Sequence, residues 1–325
     1  MHQATKAMTL AAVLAAAAFN HAVASDFPTR PIRVIMPYPP GTGPDTVMRQ
    51  VGERLATELK TQVIIDNRAG GNGWIAAEAA KRAKPDGYTL FLSDSTLVSL
   101  HQHLYKKLPY DPEKDFSSVA ALYSTYYYVT VSAESKWKSV SDLVAAAKAN
   151  PGKVTYGSSG NGGNLHLGGA MMEQAAGIKM THIPYKETAQ IYVDINRGEI
   201  DWAVGTGSTT APLYQAKKLK YLAITAPQRS ATQPDVPTLH EVLGASGYDL
   251  QTWVALFAPR GTPAELIGRI NTAVQKVLEQ PEMRKQLENV GFEPFVQTPE
   301  QLAATVKKQS DQYADFVRKL NISLD

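Results

Sequence analysis

The chain has 325 residues, 44% of them hydrophobic, a formal net charge of +3 and no cysteine. A chain of this length buries a sizeable core and commonly divides into two compact units. Without cysteine it has no disulfides, thiolate nucleophiles, cysteine-ligated zinc or iron–sulfur clusters, and its mixed charge offers no basic tract for nucleic acid.

The first segment reads as a secretory signal. Lys6 precedes an apolar run over residues 7–19, and Ala22-Val23-Ala24 is a small-residue cleavage site before Ser25. The run is too short for the roughly 30 Å of a bilayer core. Residues 1–24 are therefore expected to be removed after Ala24, leaving an exported protein with no second run of membrane length.

The next stretch organises the rest of the chain. Residues 33–36 form a β-type run, Pro37 to Gly43 make a tight loop, and Val47, Val51, Leu55 and Leu59 mark one face of a helix. Prolines fix φ and glycines permit a tight path, so the loop can aim N–H groups at the helix start. Asp45 and Thr46 suit the cap or first turn. Unpaired donors and a partial positive charge at a helix start favour an anion, and the expectation is that this loop grips a carboxylate.

A strand over residues 62–66, a turn over 67–73, a helix over 74–82 and a strand over 88–92 complete a βαβαβ order, which implies a parallel sheet. Ligands collect at the carboxyl ends of such strands. Ser93, Asp94, Ser95 and Thr96 should thus lie beside the first loop, either capping a helix over 97–104 or capping it and touching ligand as well. Residues 118–123 and 126–132 are β-rich and read as the crossing into a second domain. A helix over 141–149 follows, with Ser139 or Ser141 at its cap.

The second unit repeats the first: a strand over 154–156, a small-residue loop over 157–164 and a helix over 165–176. A strand over 180–185 leads to Lys186 and a helix ending near Arg197. The strand over 200–204 ends in a loop, Gly205 to Thr210, and another strand spans 221–225. Residues 227–247 read as turns, and 251–257 as a returning strand. Thr262-Pro263-Ala264-Glu265 has the form of a capping box opening a helix to Leu278. Helices over 281–290 and 298–320 should close over the first domain.

Several stretches, PYPPGTGPDTVMRQVGERLATEL, VIIDNRAGGNGWIAAEAAKRAKPDGYTL, YGSSGNGGNLHLGGAMMEQAAGI, HIPYKETAQ and RSATQPDVPTLHE followed by LFAPRGTPAELIGRIN, resemble the solute-binding proteins of tripartite tricarboxylate transporters, the Bug-type family. The resemblance covers essentially the whole mature chain. It implies an α/β, two-domain periplasmic-binding-protein-like fold of type II, a Venus flytrap in which each domain is a sheet flanked by helices and two strands cross between them. The domains would be residues 25–127 plus 251–325, and 128–250. It further implies a periplasmic, monomeric protein with no cofactor and no metal, which hands a small carboxylate to a membrane permease.

Carried over position by position, the resemblance places Tyr38, Pro40, Gly41, Thr42 and Gly43 at the ligand from the first domain. From the second it places Ser158, Asn161, Gly162, Gly163, His166, Tyr185 and Lys186. Ser93 and Asp94, and Thr206 and Ser208 after the later strand, complete the candidate set. Three positions depart from the family pattern. Gly41-Thr42-Gly43 stands where two adjacent glycines are usual, and Lys186-Glu187 where lysine-glycine is. Gly205-Thr206-Gly207-Ser208 replaces an acidic, asparagine-rich loop, which removes a partner for an amino-acid ammonium.

Backbone N–H groups bind a carboxylate without any lysine or arginine, and two facing loops suit a dicarboxylate that favours closure. Trp74, Trp202 and Trp253 are either core or ligand platforms; a platform would suit an aromatic diacid such as terephthalate. His166 stands open between ligand contact and packing, whereas the pair His101 and His103 lacks a third metal ligand. Gly71-Asn72-Gly73-Trp74-Ile75-Ala76 fits a weak dinucleotide pattern that a turn explains better. A secreted hydrolase using Ser158 or Ser159 with His166 is the alternative from another class, although the nucleophile-elbow pattern is missing. A co-receptor presenting ligand to a sensor kinase is a third.

Overall fold

In the computed structural model, residues 27–320 are described; the signal segment and its cleavage site lie outside them. The chain builds two sheets joined through long strands. In the first, β1 (Ile32–Met36) lies parallel between β2 (Val63–Asn67) and β3 (Thr89–Asp94). β3 then pairs antiparallel with the returning β9 (Gln251–Pro259), and β9 with β4 (Phe116–Ser132). Ile32, Val34, Ile35 and Met36 are all buried, as a strand covered on both faces requires.

β4 is one strand of 17 residues rather than the two expected. Ser124 and Thr125, the polar pair between the two expected runs, are both buried, and Thr125 donates its hydroxyl to the Gly291 carbonyl. With no glycine or proline between residues 116 and 132, nothing interrupts the extended backbone. The N-terminal part of β4 pairs with β9 as far as Tyr126 opposite Gln251. Its C-terminal part pairs with β7 (Trp202–Thr206), starting at Tyr127 opposite Thr206, and with β8 (Leu219–Ile224). One strand therefore belongs to both sheets, and the second sheet continues from β7 through β5 (Thr155–Ser158) to β6 (Thr181–Pro184).

Each sheet has its own core. Val47, Met48, Val51 and Leu55 of α1 (Gly43–Leu59) pack with α10 (Ala264–Glu279) on the first sheet. Tyr156, Trp202, Val204 and Leu250 centre the second. In chain order the remaining helices are α2 (Trp74–Lys81), α3 (His101–Leu104, entered through a π-helical turn at Thr96–Leu100), α4 (Pro112–Asp115), α5 (Val140–Ala149), α6 (Asn164–Ala176), α7 (Thr188–Arg197), α8 (Gly207–Gln215), α9 (Leu239–Leu243), α11 (Pro281–Asn289) and α12 (Pro299–Leu320). None of the helices among the described residues is long and apolar enough to cross a membrane.

Two expectations fail at helix starts. Thr262 does not open a capping box: its N–H and hydroxyl both bond the Pro259 carbonyl, closing a turn, and Pro263 becomes the cap of α10. Residues 207–210 of the expected loop open α8, because Thr206 accepts the Thr209 N–H and so starts a helix that the sequence does not advertise. Within the turn-rich 227–247 region, Thr238 and Glu241 form a full capping box at the start of α9.

α12 joins the two halves. Ser310 bonds Gln102 and His103 of the first, while Tyr313 and Val317 pack with Leu100, Leu104 and Leu167, the last on α6 of the second.

Candidate functional site

The loop after β1 is held from within. Asp45, the third residue of α1, is 2% exposed. Its Oδ2 accepts the Gly41 N–H at 2.8 Å and Arg49 Nε at 3.0 Å, and its Oδ1 accepts Asn67 Nδ2 at 2.8 Å. Asn67 also donates to the Tyr38 carbonyl and accepts from Arg49 Nη2, so the three side chains brace both ends of the loop. Burial opposes ionisation of Asp45, but the bonds from Arg49, Asn67 and Gly41 outweigh it and hold the carboxyl below its ordinary range. The Gly41 N–H expected to face ligand is therefore engaged by the chain's own carboxylate. The N–H groups of Gly43 and Asp45 have no protein acceptor among the described residues.

Asp94 ends β3 beside this loop. Its Oδ2 accepts the Tyr38 hydroxyl at 2.7 Å, and its Oδ1 caps the N–H groups of Thr96 and Leu97. Burial first, then the Asp94 charge, raises the Tyr38 pKa well above that of a free phenol. Ser93 is fully buried and donates weakly to the Asp94 carbonyl, so its side chain faces the interior.

In the second half, β5 delivers the chain into a turn with left-handed Gly160 and Gly162 (φ +115° and +75°) and then α6. Gly162 donates its N–H to His166 Nδ1 at 3.0 Å. Ser158, with no exposed surface, meets His182 Nε2 at 2.5 Å and bonds Gly160 through both backbone groups. The serine's imidazole partner is thus His182, not the His166 of the hydrolase alternative, and its hydroxyl is closed off from substrate. His166 stacks on His182 with centroids 4.2 Å apart, and Tyr156 stacks behind His182. Burial, then the neighbouring His166, pulls His182 down to a pKa of about 4; burial lowers His166 too. Asn161 is exposed at the turn, Gly163 caps α6, and Asn164, Leu165 and His166 open it.

The two loops meet across the fold. Asn164 Nδ2 donates to Thr96 Oγ1 at 3.2 Å and to Thr252 Oγ1 at 2.8 Å, and Thr252 bonds the Tyr127 hydroxyl on β4. A chain of hydrogen bonds, Tyr38 to Asp94, Asp94 to the Thr96 N–H, and the Thr96 hydroxyl to Asn164, therefore runs from the first loop to the start of α6. On the other flank Gly43 lies under Phe292, and the adjoining Gly291 approaches Ser208 so closely that a Cβ there would stand 3.0 Å from the Ser208 nitrogen. Thr206 and Ser208 share a hydroxyl bond beside this contact.

The remaining candidates sit further out. Tyr185 donates its N–H to the Ser158 carbonyl but turns its hydroxyl to Asp194; Lys186 and Pro40 are exposed, and Thr42 bonds back to Pro39. Trp202 and Trp253 have no exposed surface, which removes both as ligand platforms, and half-buried Trp74 donates its indole N–H to His101. His103 is taken by Ser310. Among the described residues no group of three or more His, Asp or Glu could hold a metal. A hollow of about 480 Å³ lies at the far end of α6, between Ala147, Ala170, Ile178 and Lys319, and contains no candidate residue.

Sequence reasoning missed Asn67, Asn164, His182, Thr252 and Gly291, whereas Thr96 lies beside the first loop as expected. The polar pair Asn164 and Thr252 carries no local signal, whereas His182 falls opposite Tyr156 once β5 and β6 are laid parallel.

Two α/β halves sharing crossing strands, with facing loops at the carboxyl ends of their parallel strands, define a periplasmic-binding-protein class of fold. A TctC solute-binding protein from Polaromonas superposes with a TM-score of 0.80 at 28% identity, covering 90% of this chain and 99% of that one. The chain belongs to the tripartite tricarboxylate transporter family of receptors, the Bug-type solute-binding proteins, whose family model matches residues 47–322. Similar structures include Rpa4515 of R. palustris with adipate (28% identity, TM-score 0.78, 92% of this chain and 99% of that one). Another is MatC of Rhodopseudomonas palustris with bound malate (27% identity, TM-score 0.72, 90% of this chain and 100% of that one).

Proposed function

We propose that this receptor captures a small organic dicarboxylate between its two halves and delivers it to a tripartite tricarboxylate permease. It does so as a periplasmic monomer, after cleavage behind Ala24, and without catalysis or cofactor. The halves divide where β4 changes partners, between Tyr126 and Tyr127, and at the start of β9. The observation that carries this reading is the bonded path from Tyr38 through Asp94 and Thr96 to Asn164, which ties the loop before α1 to the start of α6. Adipate and malate on similar receptors are both dicarboxylates. With Trp202 and Trp253 enclosed and the indole N–H of Trp74 held by His101, the case for an aromatic diacid is weakened, and an aliphatic one fits better.

A ligand that binds only the native state raises the melting temperature with the logarithm of its concentration. In a screen of mono-, di- and tricarboxylates, with adipate, malate and terephthalate included, an aliphatic diacid should give the largest rise. Gly163→Val, which crowds the α6 start where the added side chain meets only Ser159 and Gly160, should remove it without unfolding the protein. If no carboxylate shifts the wild type, the reading falls.

Closure also depends on Gly291. Alanine there would push its Cβ against the Ser208 backbone and hold the halves apart, whereas Gly152 has a similar φ (+75° against +73°) with nothing within 4 Å. Gly291→Ala and Gly152→Ala should therefore lose similar stability, about 1 kcal/mol from left-handed strain. Only the former should weaken the diacid, by about tenfold, a difference of roughly 1.4 kcal/mol. Equal affinities in calorimetry would reject the contact as part of closure.

A further inference from the structure

We propose that His166 is a positioning residue that must be an uncharged acceptor, and that its neutrality makes the start of α6 the stronger of the two anchoring points for the diacid. The two helix starts are built alike. In each, the residue before the cap is a glycine in left-handed conformation, Gly41 at φ +81° and Gly162 at +75°. In each, the third helical residue folds back to accept that glycine's N–H: Asp45 Oδ2 at 2.8 Å and His166 Nδ1 at 3.0 Å. This reaching back resembles a capping box, where the acceptor is commonly Glu or Gln.

The chemistry differs in charge. An amide N–H can only donate, so Nδ1 of His166 holds a lone pair and the neutral ring carries its hydrogen on Nε2. Stacking on His182 keeps the ring in that place. A carboxylate at the same position would put negative charge inside the first turn, where the positive end of the helix would otherwise attract an anion. Asp45 does this in α1, with its charge shared by Arg49, and His166 spares α6 the same cost while closing the turn as tightly.

The charge assignment rests on the carboxylate reading of the cleft, but the positioning role does not. Amide hydrogen exchange followed by NMR on the unliganded protein tests the latter. In His166→Ala the Gly162 amide should exchange at least tenfold faster with Gly41 unchanged, and in His166→Gln, which retains an acceptor, Gly162 should stay protected. A Gly162 amide still protected in His166→Ala overturns the positioning role. Calorimetry with adipate and malate tests the charge. His166→Gln should bind within about threefold of wild type, and His166→Glu at least tenfold more weakly. Wild-type affinity in His166→Glu overturns the assignment. If wild type binds neither probe, the same variants are compared with whichever carboxylate most raises its melting temperature; if none does, the carboxylate reading and the charge assignment fail together, while the exchange rates still decide the positioning role.

Discussion

Replacing Asp45 by alanine is expected to lower the unfolding free energy by about 2–3 kcal/mol, because it strips the acceptor from three donors at once: the Gly41 N–H, Asn67 Nδ2 and Arg49 Nε. Asp45 is almost fully buried while Arg49 stays half exposed. The loss is thus smaller than for a pair buried on both sides, where removing one partner costs about 3–5 kcal/mol. Urea unfolding should show a lower midpoint at an unchanged slope. The same variant should lose diacid affinity, because the loop then no longer holds Gly43 and the α1 start in one geometry. Asp45→Asn keeps an acceptor for Gly41 and should recover part of both. A variant as stable as wild type would mean that the brace around Tyr38 and Gly41 is incidental to the fold.

Asp45 also shows where the sequence was legible and where it was not. The strand, tight loop and helix around it follow from apolar spacing, proline and glycine, and the parallel order of β1, β2 and β3 follows from the alternation of strand and helix. Local pattern suits the residue to the cap or first turn, and it stands in the first turn, yet its carboxylate works on Gly41 and depends on Asn67, 22 positions away on a neighbouring strand. Helix α8 escaped for a different reason. Its sequence, Gly-Ser-Thr-Thr-Ala-Pro, has weak helix propensity, and Thr210 is its only buried residue, so neither propensity nor periodicity marks it. Thr262 misled in the opposite direction, since the capping-box letters were present but its hydroxyl was already committed to the turn at Pro259. At the cleft, the glycines and helix starts could be read along the chain. Asn164, Thr252 and His182 could not, because they act through partners that only the sheet order brings near.

The imidazole pair beneath the α6 turn should make the protein lose stability in acid. An unfolded histidine takes up a proton near pH 6.5, whereas native His182 resists until about pH 4, because burial and the facing His166 ring both disfavour its charge. Between those values the unfolded chain holds more protons than the native one, so stability falls as pH falls through that window and is fully present above about pH 6.5. A shift of this size corresponds to about 3 kcal/mol. The His182 ring is only half-buried, and solvent screening reduces the expected effect to about 1–2 kcal/mol. His166 adds to it with the same sign. Buried His101 and half-buried His103 do so as well, whereas the lowered carboxyl of Asp45 acts only at more acid pH. Urea unfolding of wild type and His182→Asn at pH 7.5 and 5 separates these sources, since the amide can still meet Ser158 but does not titrate. The wild type should lose about 1 kcal/mol more than the variant between the two pH values. Equal losses would mean that His182, stacked beside Tyr156, takes up its proton as easily in the folded chain as in the unfolded one.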